Sequence, residues 1–376
     1  MGSPSGPGTH IREVIGAFEK AGHEVIRHIA GGEKMEVVSA PAIPARWWRK
    51  LIPTFIRETI KDYRLLQWDN QQFATLCEII RREKPDLIYE RGYYLMTSGI
   101  RVAQQFGIRH FLEINAPYPE EKAAMSGKGF YHSTSIKMER FQARNTDHLF
   151  VVSTALKEYY ISRCDIDSAK ITVTPNAVNA AMLSNQQIQS GKEDLNMPQD
   201  SIVIGFVGSI FPYHGVDALI RSFASVKQGC TKNLRLLIVG DGEVLRALKE
   251  LATAMGVQDQ TIFTGNVRHQ DIVRYLQCMD ICVMAKSNWY GSPVKIFEYG
   301  ALRKAIIAPD VVPVRDVMQH RVHGWLVHDE EALELGLRTL IEDETERERL
   351  AASFHQEVTS KYTWDHVAST ILQKFA

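Results

Sequence analysis

Two periods of apolar residues alternate along this chain. Short continuous runs of strand length, Glu24-Val25-Ile26, Asp86-Leu87-Ile88-Tyr89-Glu90, Arg109-His110-Phe111-Leu112-Glu113-Ile114, His148 to Ser153 and Ile171 to Thr174, punctuate the first half. Between them lie stretches with the 3.6-residue period of a helix, such as Ile11 to Ala21 and Phe73 to Lys84. After the polar stretch Ser184 to Asp200 the alternation resumes, with runs at Ile202 to Gly208, Leu234 to Gly240, Thr261 to Phe263, Asp280 to Ala285 and Ala305 to Ala308. A last helix is predicted from about Trp364 to Phe375, after a break at Tyr362-Thr363. Strands that alternate with helices and read as near-continuous apolar runs predict an α/β fold with parallel sheets covered on both faces. The expected architecture is two doubly wound domains, 1–185 and 201–362, joined by a linker at 186–200 and facing one another across a cleft. Ligands of such sheets bind beyond the carboxyl ends of the strands, so the loops there carry the chemistry.

The 376 residues are long enough for two cores of ordinary size. Lys+Arg and Asp+Glu balance at 44 each, so no global field argues for nucleic acid or an acidic partner. The five cysteines, Cys77, Cys164, Cys230, Cys278 and Cys282, are odd in number and complete no metal-ligand cluster, which predicts reduced thiols in a cytoplasmic protein. No run of 18 apolar residues predicts a membrane-spanning helix. Met1 to Gly8 lacks the regions of a signal peptide, which argues against a two-domain solute-binding protein. The segment Ala45 to Trp68 is basic and aromatic, with Arg46, Trp47, Trp48, Arg49, Lys50, Phe55, Arg57, Lys61 and Arg64. It reads either as an interfacial helix that brings the protein to the inner face of a membrane, or as a helix whose Trp and Ile pack on the sheet.

The richest stretch is Asn288 to Ala301. A Gly291-Ser292-Pro293 loop follows an apolar strand and opens the helix of Ile296-Phe297-Glu298-Tyr299, where exposed backbone N–H groups and the macrodipole favour an anion. Lys295 and Glu298, three residues apart, share one helical face and suit a phosphate and a ribose diol, or form an ordinary surface pair. Three more glycine loops end strands: Gly208-Ser209 to His214-Gly215, Gly240-Asp241-Gly242-Glu243, and Thr264-Gly265-Asn266-Val267. Each alone is weak, because glycine turns end many strands for steric reasons.

In their order and spacing these phrases resemble the C-terminal half of a GT-B glycosyltransferase of glycosyltransferase family 4. Gly205-Phe206-Val207-Gly208-Ser209, the downstream His214-Gly215, Val239-Gly240-Asp241-Gly242, Phe263-Thr264-Gly265 and the Ser-Pro-x-Lys-x-x-Glu-Tyr phrase at 292–299 carry the likeness. In the first half, Gly8-Thr9-His10-Ile11-Arg12-Glu13, Tyr89-Glu90-Arg91, Glu113-Ile114-Asn115-Ala116-Pro117 and Pro175-Asn176-Ala177-Val178 extend it. The resemblance implies a retaining transfer of sugar from a nucleotide diphosphosugar, of UDP, GDP or ADP type, without an obligatory metal or other cofactor. By it, Glu298 holds the ribose hydroxyls. Gly291, Ser292, Pro293 and Val294 hold the sugar and distal phosphate, and Gly265, Asn266 and Val267 meet the base. Lys295 stabilises the departing diphosphate. Gly8, Ser209, His214 and Tyr290 complete the donor side. His10 and Asn115 flank the transferred sugar as catalytic candidates, with Arg91 and Glu113 on the acceptor side; for Glu90 and Arg91 a buried ion pair is the competing reading. The last helix, about 363–376, is expected to rejoin the first domain. The acceptor is a sugar, a lipid-linked sugar or a small molecule.

Three departures from the family pattern stand out. Tyr290 occupies the place of the first of two paired glutamates. Ser209 and His214 stand near the positions where many relatives place an Arg and a Lys, which shifts phosphate charge onto Lys295, the helix dipole and His214. The chain begins inside the glycine loop Gly6-Pro7-Gly8-Thr9-His10, so the first strand of the first sheet is expected to be missing, leaving strand edges unpaired. Tyr290 and that strand favour a second reading, a catalytically silent scaffold that binds a sugar nucleotide or a protein partner. A sugar-nucleotide epimerase would need acid and base carboxylates that the sequence does not display.

Overall fold

Side chains at alternate positions of the strands in the second half go to opposite sides. Ile204, Phe206, Leu236, Ile238, Ile281 and Val283 enter one buried cluster. Their neighbours Val203, Val207, Leu237, Val239 and Cys282 enter another. That division is what a sheet covered on both faces requires. The computed structural model describes residues 6–29, 53–178, 192–268 and 271–375. The chain divides into two compact units, one centred on Phe18–Thr174 with Ser369–Ala376, the other on Pro4–Ala17 with Pro175–Ala368.

In the first unit, helix α1 (Gly6–Lys20) contributes its end, and α2 (Thr54–Glu83) leads to strand β1 (Leu87–Arg91). Then follow α3 (Ser98–Phe106), β2 (Arg109–Ile114), α4 (Tyr118–Ser126), α5 (His132–Asn145), β3 (His148–Val151), α6 (Thr154–Cys164) and β4 (Ile171–Val173). The strands form a four-stranded parallel sheet in the order β1-β2-β3-β4. Phe111, Leu112, Ile114, Leu149, Phe150 and Val151 are fully buried in it. Ser153 caps α6 by accepting from the Leu156 N–H, which ends the strand and starts the helix at one residue.

The second unit holds a six-stranded parallel sheet, order β10-β9-β8-β5-β6-β7. Its elements are β5 (Ile202–Val207), α7 (Val216–Gln228), β6 (Leu234–Val239), α8 (Leu245–Ala254), β7 (Thr261–Phe263), α9 (Ile272–Cys278) and β8 (Ile281–Val283). They continue with α10 (Val294–Ala301), β9 (Ala305–Pro309), β10 (Trp325–Val327), α11 (Glu330–Glu342), α12 (Glu344–Lys361) and the start of α13 (Trp364–Leu372), whose end from Ser369 belongs to the first unit. Strand order reverses beside β5, whose neighbours are β6 and β8, so the loops after these strands converge.

Several expectations change. Glu24-Val25-Ile26 is not a strand; among the described residues none precedes Leu87 in the sheet, so this run has no ladder to join and Ile26 stays 39% exposed. The glycine run before His10 is not a loop, since Gly6, Pro7 and Gly8 begin α1. Strand β10 has no counterpart among the predicted runs. It spans three residues, too short for periodicity to register. Of Ala45 to Trp68, residues 45–52 lie outside the described residues, as do residues 186–191 of the linker; Pro53 stands at the N-cap of α2. That helix also reverses the expected packing, because Ile56 and Ile60 are exposed while Glu58 and Asp62 are buried. No described helix is long and apolar enough to cross a membrane.

Candidate functional site

The carboxyl ends of β5, β6 and β7 are stacked through glycine. Gly208 follows β5 with φ +140, and its N–H donates to Val239 at 3.0 Å. Gly240 follows β6 with φ +134, and a Cβ there would stand 2.0 Å from the Gly208 carbonyl oxygen. Gly240 in turn donates to the Gly265 carbonyl at 3.1 Å. At Gly240 only glycine lets the two backbones approach this closely, and all three positions have the positive φ that favours glycine. The weak turn phrases are therefore one structure in space.

Lys295 reaches into this glycine corner from α10. Its Nζ lies 4.3 Å from the Phe206 ring centroid, and a Cβ on Gly208 would be 3.1 Å from it. The ammonium is shielded from water and makes no hydrogen bond among the described residues. Burial pulls its pKa down to about 7, against a partial opposing pull from Glu298 one turn on. A buried cation lacking a hydrogen-bond acceptor is poised for an anion. Beneath it, the Tyr299 hydroxyl accepts from the Val207 N–H at 3.0 Å and fastens the end of β5 to α10.

His214 differs from its expected role. Its Nδ1 donates to the Ser209 carbonyl at 2.6 Å, which fixes the tautomer because that oxygen can only accept. Burial and the neighbouring Lys295 charge hold its pKa down to about 4. It is neutral at physiological pH and brings no charge to a phosphate; its remaining Nε2 lone pair suits a hydroxyl. Gly265 and Val267 sit at the end of β7, Val267 packed on the core and Asn266 exposed.

The loop before α10 is organised by two asparagines that the sequence did not single out for it. Asn288 Oδ1 accepts from the Tyr290 N–H at 3.2 Å and from the Gly291 N–H at 2.6 Å. Ser292 is buried, and its hydroxyl accepts from the Asn176 N–H at 3.0 Å while its carbonyl accepts from Asn176 Nδ2 at 2.5 Å. Asn176 Oδ1 accepts from His10 Nδ1 at 3.0 Å, and His10 stands edge-on to Trp364 with centroids 4.6 Å apart. His10 and Ser292 thus support the loop through Asn176, and Gly8 lies in the first turn of α1. Pro293 is the N-cap of α10, and Val294 is its first residue.

In the first unit, the ends of β1 and β2 form a separate polar group. Glu113, 3% exposed, accepts from the Tyr89 hydroxyl at 2.5 Å and from Asn115 Nδ2 at 2.5 Å, with Arg91 Nη1 3.7 Å away. This carboxylate is engaged on three sides, which makes it the anchor of Asn115 and Arg91 and leaves it poorly placed to move a proton. Glu90 bonds to His110 Nε2 at 2.8 Å, while the carboxylate beside Arg91 is that of Glu113.

Two family models cover most of the chain: "Glycosyltransferase Family 4" over residues 4–181 and "Glycosyl transferases group 1" over residues 187–355. The chain belongs to glycosyltransferase family 4. It is similar to the D-inositol 3-phosphate glycosyltransferase of Stackebrandtia nassauensis, 25% identical over 249 residues, which are 64% of this chain and 56% of that protein. It is also similar to the phosphatidylinositol N-acetylglucosaminyltransferase gpi3 subunit of Schizosaccharomyces pombe, 24% identical over 308 residues, 79% of this chain and 62% of that one. The chain thus spans between 56% and 62% of the length of these two curated relatives. Among solved structures it resembles a glycosyltransferase from Rickettsia africae, with TM-score 0.71 and 16% identity over 97% of this chain and 93% of that one. It also resembles Anabaena HepE in complex with UDP and glucose, with TM-score 0.69 and 16% identity over 100% of this chain and 97% of that one. At these identities the likeness establishes the α/β fold of GT-B type with its two parallel sheets.

Proposed function

We propose that this family 4 chain is a retaining glycosyltransferase that moves a sugar from a nucleotide diphosphosugar to an acceptor hydroxyl. The observation that carries the reading is the buried Lys295 ammonium, set without a hydrogen-bond partner beside Gly208 at the strand ends. The donor diphosphate would lie between Lys295 and the N-terminus of α10, where the dipole adds to the cation. Glu298 would accept from the ribose hydroxyls, and the Gly265–Val267 loop would meet the base. His214, neutral and with Nε2 open, would accept from a sugar hydroxyl, while Tyr290 would take over hydrogen bonding from a carboxylate.

In the transfer, the bond between the anomeric carbon and the diphosphate oxygen breaks. The acceptor oxygen attacks on the same face, and its proton passes to the departing phosphate. Charge accumulates on that phosphate in the transition state, so a preorganised cation there lowers the barrier. No protein base and no metal is required by this route. Asn115 and Arg91, oriented by Glu113, are the groups proposed for the acceptor. The relatives' names support a hydroxyl acceptor on an inositol or a phosphatidylinositol lipid, and the HepE complex makes UDP the first nucleotide to try.

A second reading is a silent scaffold that binds a sugar nucleotide or a protein partner. It is favoured by Tyr290 in place of a glutamate and by Asn288, which occupies the Gly291 N–H that a distal phosphate would use. Calorimetry with UDP, GDP and ADP tests the donor site. One nucleotide is expected to bind, and Lys295→Ala and Glu298→Ala should each weaken it roughly 10- to 100-fold, as loss of a charged hydrogen bond does. Binding of none would end the donor reading; binding without hydrolysis or transfer of the cognate sugar nucleotide would favour the scaffold.

A further inference from the structure

The first half of helix α2 is built inside out, whereas its second half buries Cys77 and Ile80 in the ordinary way. The inward face carries Glu58, Asp62, Asp69 and Gln72, none more than 6% exposed. The outward face carries Ile56, Ile60 and Tyr63 at 46%, 46% and 51% exposure. The buried acids are held by polar partners, except that Asp62 Oδ1 has only the Lys122 ammonium at 3.6 Å. Glu58 accepts from Lys61 and Lys122, Asp62 from the Tyr94 hydroxyl, and Asp69 from Thr97 and Ser98 N–H groups at 2.8 and 2.7 Å. The polar interior is thus the settled arrangement, and the apolar stripe is what the helix leaves in water.

Ile56, Ile60 and Tyr63 lie at i, i+4 and i+7 and form one stripe. Phe130, 70% exposed, stands beside it, since its N–H donates to Thr59 Oγ1 at 3.3 Å. From Thr54 to Arg64 both acids, Glu58 and Asp62, turn inward, while all three cations, Arg57, Lys61 and Arg64, are exposed. Apolar side chains flanked by exposed cations, of which Arg57 and Lys61 also pair with Glu58, complement a surface that is greasy within and negative at its rim. A protein groove would be expected to meet some outward acid as well as cations.

We infer that the outer face of the first turns of α2, with Phe130, docks on a bilayer of anionic phospholipid. The helix lies flat, Ile56, Ile60 and Tyr63 enter the acyl boundary with Phe130, and Arg57 and Arg64 meet lipid phosphates. This deepens the lipid-linked branch of the acceptor proposal and rests on it for its purpose, but the surface is distinct from the donor loops.

Sedimentation of the full chain with vesicles tests it, using phosphatidylcholine alone and phosphatidylcholine mixed with phosphatidylglycerol. The chain is expected to partition onto the anionic vesicles only and to be released by salt. Ile56→Ser/Ile60→Ser and Arg57→Gln/Arg64→Gln should each lower partition by about fivefold or more, with unchanged melting and unchanged nucleotide calorimetry. Variants that partition like the parent, or equal partition onto neutral vesicles, would overturn the inference. So would a self-associated chain that Ile56→Ser/Ile60→Ser converts to monomer, because the stripe would then cover a second copy. Lipid binding without nucleotide binding would remove the donor reading alone.

Discussion

Lys295 keeps its proton only up to about pH 7 in the folded chain, against an ordinary value of 10.5. Burial is the cause, and Glu298 only partly offsets it. Between these values the unfolded chain binds more protons than the folded one, so this residue makes stability rise with pH from about 7 to 10.5, with its full penalty felt below 7. An arriving diphosphate reverses the preference and favours the ammonium. His214, already neutral above its pKa of about 4, does not contribute to the change near neutrality. Nucleotide binding at pH 8 is therefore expected to take up a sizeable part of about one proton. Calorimetry in buffers of different ionisation heat measures it directly. Lys295→Gln should abolish the uptake; heats that are the same in every buffer for the parent would refute the assignment.

At the scale of elements, the site depends on how closely the strand-end turns stack. A Cβ on Gly240 meets backbone, 2.0 Å from the Gly208 oxygen, and no side chain can yield to relieve it. Gly265 shares a left-handed φ of +69 but has nothing within 4 Å of a Cβ. Gly240→Ala should thus cost about 3 kcal/mol or more, and Gly265→Ala about 1 kcal/mol, the local dihedral strain alone. Thermal melts of the pair provide the comparison, and equal losses would contradict the stacking argument. One of the two readings of α2, with its Ile packed inward, fails for a related reason. Periodicity locates a helix and assumes its apolar stripe is the inner one. The acids of this helix found partners in Lys122, Tyr94, Thr97 and Ser98, all remote in sequence.

Across the whole molecule, the tie that matters most to the candidate site joins residues far apart in the chain. His10 and Asn176 are separated by 166 positions, Asn176 and Ser292 by 116. Asn176 satisfies both polar groups of a buried serine in the loop that opens α10. Asn176→Ala keeps the backbone N–H that serves the Ser292 hydroxyl but removes Nδ2 from the Ser292 carbonyl and Oδ1 from His10, and is expected to cost about 1–3 kcal/mol. It should also weaken nucleotide binding with Lys295 untouched. His10→Ala removes one of these bonds and should lower the melting temperature less. An Asn176→Ala protein that melts and binds like the parent would show the loop to be held by other means.

The sequence alone determined the class of fold, because buried parallel strands must be nearly continuous apolar runs and intervening helices must repeat at 3.6. It also determined the phrase at 292–299 and its strand-end neighbours, since backbone approach and helix initiation admit few residue types there. What it left open depended on partners that meet only in three dimensions. The turn after Gly8 became a helix, and Glu24 to Ile26 found no ladder, because a strand exists only beside another strand. Tertiary packing made His214 neutral, engaged Glu113 on three sides, and stripped the Lys295 ammonium of water. Charge, tautomer and solvation are properties of surroundings, and the surroundings are assembled from residues that the linear order keeps apart.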